Sequence, residues 1–211
     1  MNLRCSQDLG LLISCVVTDD PCQCQRAKRI IALHFPHMYF GKCYAHQVNL
    51  IEKDVFKVVH GDLVARVKAL TKAYNKNTSK WLVRLTDRCK KLYSCSRSLL
   101  RIMNVRWNSA KSSFASVLRI RTALKLIQAE YGGVSDFPDA LMVDDAFFEQ
   151  LCNAEQLLRP PTKASFLMQR ISNSLADVLN MFGLLYQAFA KASQHADELK
   201  ELLVKRWEQQ E

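Results

Sequence analysis

The sequence predicts an α/β start followed by a mostly α-helical region. Two short runs rich in β-branched or aromatic residues, LLISCVV at 11–17 and MYFGK at 38–42, lie on either side of one helix-like stretch. That is the order of a small β-α-β unit. From Gly61 onward apolar residues recur every three or four positions, the period of an amphipathic helix. A hydrophobic content of 49% over 211 residues is enough to bury a core and argues against disorder.

LLISCVV has the length of a buried strand. It ends at Thr18, Asp19 and Asp20, three side chains able to cap a helix, ahead of Pro21, whose missing N–H costs nothing in a first turn. A helix is expected over 21–33, stopped by HFPH because Pro36 holds the residue before it extended. The second strand, 38–42, leads into a helix through Gln47, Asn49, Leu50 and Phe56. Leu63, Val67, Leu70 and Tyr74 mark the next helix, and Trp81, Leu85, Cys89 and Leu92 the one after. A break at 104–108 precedes a helix that carries Phe114, Val117, Leu118, Arg121 and Leu124 to about Tyr131. GGVSDFPD at 132–139 reads as a linker. Beyond it, 143–158 is expected as one helix, Pro160 and Pro161 as the start of another, and 172–208 as a long amphipathic stretch with Leu175, Val178, Leu179, Phe182 and Leu185. The chain therefore divides into an α/β region at 1–60, a basic helical region at 61–131, a linker at 132–139 and a second helical region at 140–211.

Charge is unevenly spread. The net charge is +10, yet residues 61–125 alone hold sixteen basic side chains against two acidic ones, while 126–211 is net negative by six. An excess of that size exceeds what solubility needs and is the footprint expected where a polyanion lies on the surface. A solvated basic face without a partner is the plainer alternative. No apolar run approaches the roughly 18 residues of a membrane span, and no secretion-signal pattern opens the chain. The eight cysteines are scattered through helical patterns and read as reduced thiols. The expected setting is thus nuclear or cytoplasmic, with no membrane partner. Six scattered glycines form no phosphate-binding loop, which excludes a nucleotide hydrolase of the P-loop kind.

Four pieces in order carry a resemblance: Thr18-Asp19-Asp20, then QRAKRIIALHFP at 25–36, then C-x-A-H-Q-x-N-L from Cys43 to Leu50, then Arg106-Trp107-Asn108-Ser109. No piece is specific alone, but together they resemble the hAT superfamily of DNA transposases. The stretch PTKASFLMQRISNSLADVLNMFGLLYQAF, 161–189, is similar to the helical part that interrupts the nuclease fold of that family. The resemblance implies a partial ribonuclease H-like sheet at 1–60 and an insertion-type helical region at 140–211.

It also implies chemistry. In such a core three carboxylates hold two divalent ions, Mg2+ or Mn2+, which activate the attacking oxygen and stabilise the leaving one. Asp19 matches the second of these carboxylates and is the implied metal ligand. Asp20 stands where the family usually has asparagine; helix capping accounts for it more simply. Cys43 and His46 match a motif close to the active centre and read as support residues near the scissile phosphate. A purely structural role for His46 at a helix start is equally open. A zinc site built from Cys22, Cys24, Cys43 and His46 would need an unusually narrow C-x-C pair, and a Cys43 nucleophile lacks an orienting third group. Arg106 and Trp107 match a pair in which the ring stacks on a base extruded from the DNA end and the cation holds phosphate. Arg101, Lys111, Arg119 and Arg121 flank that pair and extend the implied DNA-binding surface. The alternative is a Trp107 that fills the core.

Two implied carboxylates, in a D-x-W-T type strand and an S-E-R type motif, have no counterpart here, nor has the family's zinc-binding targeting module. The expectation is therefore a fragment or relic of an hAT-type transposase that retains nucleic acid binding without transposition activity, with a possible homo-oligomer. A helical protein-interaction module, using 172–208 as its partner surface and indifferent to DNA, is the competing expectation.

Overall fold

The computed structural model describes residues 10, 13–19, 22–58, 61–76, 80–103, 108–170, 172–192 and 195–208. Within them β1 (Cys15–Thr18) and β2 (Tyr39–Lys42) form a parallel pair in the register Cys15 to Tyr39 and Thr18 to Lys42, connected by helix α1 (Cys22–His34). Lys28 Nζ donates to the Gly41 carbonyl (2.6 Å) and ties α1 to the sheet. The first strand begins four residues later than the apolar run suggests and is not a buried strand: no residue of it is buried, and Val17 is 49% exposed. A continuous apolar run signals burial only when layers cover both faces, and among the described residues this sheet has two strands.

Everything else is mostly helical. Helix α2 (Tyr44–Val58) turns Gln47, Val48, Ile51, Glu52 and Val55 inward, one stripe at helical period. Next come α3 (Gly61–Lys76), α4 (Trp81–Tyr93), α5 (Asn108–Leu118), α6 (Arg121–Tyr131), α7 (Asp145–Met168), α8 (Leu175–Ala190) and α9 (Ala196–Glu208). The inward residues foreseen for α3, and Trp81, Leu85 and Cys89 of α4, are buried; Leu92 is not, at 40% exposed. One continuous core runs from Val48 to Leu203 and takes side chains from all of α2 through α9. The 132–139 stretch sends Phe137 into it, edge-on to Trp81 with ring centroids 5.1 Å apart.

Three helix boundaries differ from the sequence expectation. The helix expected through Arg121 is broken at Arg119 and Ile120, where Ile120 N–H donates to the Val117 carbonyl (3.2 Å) and its side chain is fully buried. The apolar period passes through this turn without glycine or proline, so nothing in the pattern marks it. Pro160 and Pro161 lie inside α7 instead of opening a new helix. Each removes one N–H and costs about 3 kcal/mol or more in a free helix, but Leu158, Pro161, Thr162, Ala164 and Ser165 stay buried on one continuous face, and that packing outweighs the lost bonds. The expected long stretch at 172–208 is a hairpin. His195, with φ of 60°, reverses the chain between α8 and α9, and Phe182 meets Trp207 at 5.0 Å between centroids. Both α7 and α8 are capped by acceptors: Asp144 Oδ1 takes the Phe147 N–H (2.6 Å), and Ser174 and Asp177 form a reciprocal capping box. Among the described residues no helix is long and apolar enough to cross a membrane.

Candidate functional site

Because β1 and β2 are parallel, both finish on the same side. Asp19 follows β1 directly, Cys43 follows β2 directly, and the Cys43 N–H donates to the Thr18 carbonyl (2.9 Å). The Cys43 carbonyl accepts from Gln47 N–H (3.1 Å), so α2 springs from Cys43 and carries His46 in its first turn. Asp19, Cys43 and His46 thus share one end of the sheet, Asp19 exposed and the other two half-buried. Asp20, Arg106 and Trp107 lie outside the described residues.

Metal chemistry needs more than this. Among the described residues no three His, Cys, Asp or Glu side chains come together in a group that could hold an ion. A two-metal displacement requires carboxylates on both ions, which Asp19 alone does not supply, so no catalytic step is derived from it. Cys24, Cys43 and His46 likewise make no zinc site, and the Cys22 side chain is not among those described. Beside the strand ends lies a cleft of about 610 Å³ whose walls include Val17, Tyr39, Cys43 and Tyr44 on one side and Leu175 and Val178 of α8 on the other. Burial raises the Tyr44 phenol above its ordinary value, and nearby Tyr39 adds to the shift.

One acid in this half of the molecule is fully buried. Glu52, facing α7, accepts a hydrogen bond from Thr162 Oγ1 (2.7 Å), and desolvation pushes its carboxyl up to about 7 against the lowering effect of that bond. The neighbouring turn of α2 repeats the arrangement with Ser165 Oγ donating to Asn49 Oδ1. Asp54 behaves oppositely: hydrogen bonds from Arg206 and Lys57 outweigh its partial burial and hold it below the usual carboxylate range.

The basic region is rearranged by folding. Its cations meet the acidic residues of the following third: Arg66 with Asp144 (3.6 Å), Lys111 with Glu155 (3.5 Å), Lys80 with Asp136, Arg88 with Glu130, and both Arg121 and Lys125 with Asp145. Several are also held against rings, Arg66 over Phe147 (4.7 Å), Arg121 over Phe148 (4.9 Å) and Arg84 over Tyr131 (4.1 Å). Part of the charge asymmetry of the sequence is therefore complementarity within one chain: six of the sixteen cations pair with five acids of the following third. Of the sequence-derived DNA contacts, Lys111 and Arg121 are committed to these pairs, while Arg101 and Arg119 stand exposed.

What remains is a ridge. The extended segment 96–103 runs antiparallel along α5: Arg97 Nη1 donates to the Arg119 carbonyl (2.9 Å), Leu100 N–H to Ser116 Oγ (3.0 Å) and Met103 N–H to Ser109 Oγ (2.8 Å). Arg97 also lies 4.1 Å over the Tyr93 ring, at the end of α4 where Lys90 and Lys91 are exposed. Lys90, Lys91, Arg101 and Arg119 form no ion pair among the described residues. Sequence reasoning passed over Arg97, Lys90 and Lys91. The CKKLYSCSR run, cations interleaved with an aromatic, was the available signal.

Comparison with family models, with curated proteins and with solved structures returns no match to this chain.

Proposed function

We propose that the chain is a DNA-binding relative of the hAT-type transposases, with a ribonuclease H-like remnant at its α/β end, acting in the nucleus without cleaving strands on its own. The observation that carries this reading is the ridge of Lys90, Lys91, Arg97, Arg101 and Arg119, none of them in an ion pair among the described residues, where neighbouring Arg88, Lys111, Arg121 and Lys125 are paired. The strand-end placement of Asp19, Cys43 and His46 supports the family assignment. By that resemblance Mg2+ or Mn2+ would activate the attacking oxygen, but the carboxylates present do not fit a two-ion centre.

Titration of duplex DNA at several salt concentrations tests the proposal. Five phosphate contacts give a log-log salt slope of about −4 to −5, with little dependence on sequence because phosphate contacts carry no base information. Reversing charge at Lys90, Lys91 and Arg119 together should remove binding, whereas Arg121→Ala, which breaks a pair with Asp145, should leave the slope nearly as it was. Absence of binding at low salt, or binding indifferent to the triple reversal, would overturn it.

A further inference from the structure

The cleft beside the strand ends has no part in the ridge. Cys15, Val17, Tyr39 and Gly41 share one face of the two-stranded sheet, because each strand alternates sides and Cys15 pairs with Tyr39, Val17 with Gly41. The first three of them line the cleft as its floor. A Cβ at Gly41 would come within 2.7 Å of Tyr39 Cε1, so the Tyr39 ring lies back along its strand in space that a side chain would otherwise take. Leu175 and Val178 of α8 form the facing wall, and Tyr44, from the first turn of α2, lines the same space. Burial keeps the Tyr44 hydroxyl protonated, and hence a donor, at neutral pH.

Among the described residues the lining carries one formal charge, Arg170, just past the end of α7. Arg170 is exposed and forms no ion pair among the described residues. No acid among them lines the cleft, and the carboxylate of Asp177, on the first turn of α8, is engaged by the Ser174 N–H (2.7 Å) and hydroxyl (2.6 Å). We propose that this cleft binds a small aromatic monocarboxylate, its ring between Tyr39 and the Leu175–Val178 wall and its carboxylate on Arg170. The volume of about 610 Å³ lies within the range of roughly 300–1,000 Å³ usual for small-molecule sites, which are likewise mostly apolar with few polar groups. An aromatic body suits a floor that already presents a ring. A single guanidinium matches a single carboxylate through two parallel hydrogen bonds, and the rest of the lining offers no second cation for a dianion.

Calorimetric titration of the whole chain with 2-naphthoate, 2-naphthylmethanol and 2-naphthylmethylamine tests this, since the three probes share a body and differ in charge. Naphthoate should bind about tenfold more tightly than the alcohol, the gain of a hydrogen-bonded charge pair, and the amine most weakly. Arg170→Gln should bring naphthoate down to the level of the alcohol and leave the alcohol unchanged; it alters the net charge of +10 by one, so attraction by the chain as a whole stays nearly the same. Val17→Trp, on an exposed strand position where an aromatic is well tolerated, should fill the floor and remove binding of both. If that variant unfolds, as read by circular dichroism, Arg170→Gln decides alone, because Arg170 is exposed. No binding of naphthoate, no preference over the alcohol, or a preference that survives Arg170→Gln would overturn the proposal. The outcome does not depend on whether DNA binds the ridge.

Discussion

The α/β end and the helical body are built on different terms. Among the described residues between Cys15 and Lys42 the buried positions are Met38 and Gly41, while Ile30 and Leu33 of α1 are 51% and 83% exposed. From Val48 to Leu203 a single core buries four phenylalanines and Trp81 almost completely. The β-α-β unit is therefore held by its ladder, by Lys28 on the Gly41 carbonyl and by continuity with α2, whereas the body is held by packing. Asp19, Cys43 and His46 sit at the weakly buried piece, and the unpaired cations Lys90, Lys91, Arg101 and Arg119 sit on the strongly buried one.

The sharpest way to break this contrast is to truncate one side chain in each region. Phe114→Ala, in the fully buried core, should cost about 3–5 kcal/mol by urea denaturation. Val17→Ala on β1 should cost about 0.5 kcal/mol or less, the range for exposed substitutions. Comparable losses would show that the sheet is integral to the core.

The next largest effect belongs to Glu52, inside the helical body where α2 meets α7. Its carboxyl is raised from an ordinary 4.5 to about 7 in the folded chain, so the folded state holds a proton that the unfolded state has released. The stability this gives is fully present below pH 4.5 and is lost as pH rises to about 7, roughly 3 kcal/mol in all. Glu52→Gln, which keeps an acceptor for Thr162, should flatten that decline, as read from melting temperature between pH 5 and 8. An unchanged pH profile in the variant would mean that the acid is ionised throughout.

A smaller effect is expected at Tyr74, fully buried with its hydroxyl lacking a hydrogen-bond partner among the described residues. Burial raises its phenol well above the ordinary value. Tyr74→Phe should stabilise the body by about 1 kcal/mol, since it removes an unsatisfied buried group. A destabilised variant would reveal a bond to the hydroxyl.

Much of the body was legible because burial follows period: Leu63, Val67, Leu70 and Tyr74, or Trp81, Leu85 and Cys89, are buried where the spacing puts them. Local signals failed where tertiary contacts decide. Ile120 turns the chain while staying on the apolar period, His195 reverses it without glycine, and the proline pair is overridden by the face that α7 presents to α2. The α/β order was readable, but the exposure of β1 was not, because four residues of apolar sequence do not say whether a layer covers them. For the site, Arg101 and Arg119 are exposed, whereas Lys111 and Arg121 form ion pairs with partners 44 and 24 residues away. Pairings at that range are invisible to a charge count.

Those pairings also give the chain a direction in time. Synthesis proceeds from the amino terminus at about 5–20 residues per second, so the basic segment emerges seconds before Glu130, Asp136, Asp144, Asp145 and Glu155 that neutralise it. During that interval the nascent chain carries its uncompensated positive charge beside ribosomal RNA, a polyanion. Arrival of the acidic segment offsets part of that charge, with each pair adding about 1 kcal/mol or less to final stability. The acidic third is thus a counterion carried in the same chain, made after the charge that it partly offsets.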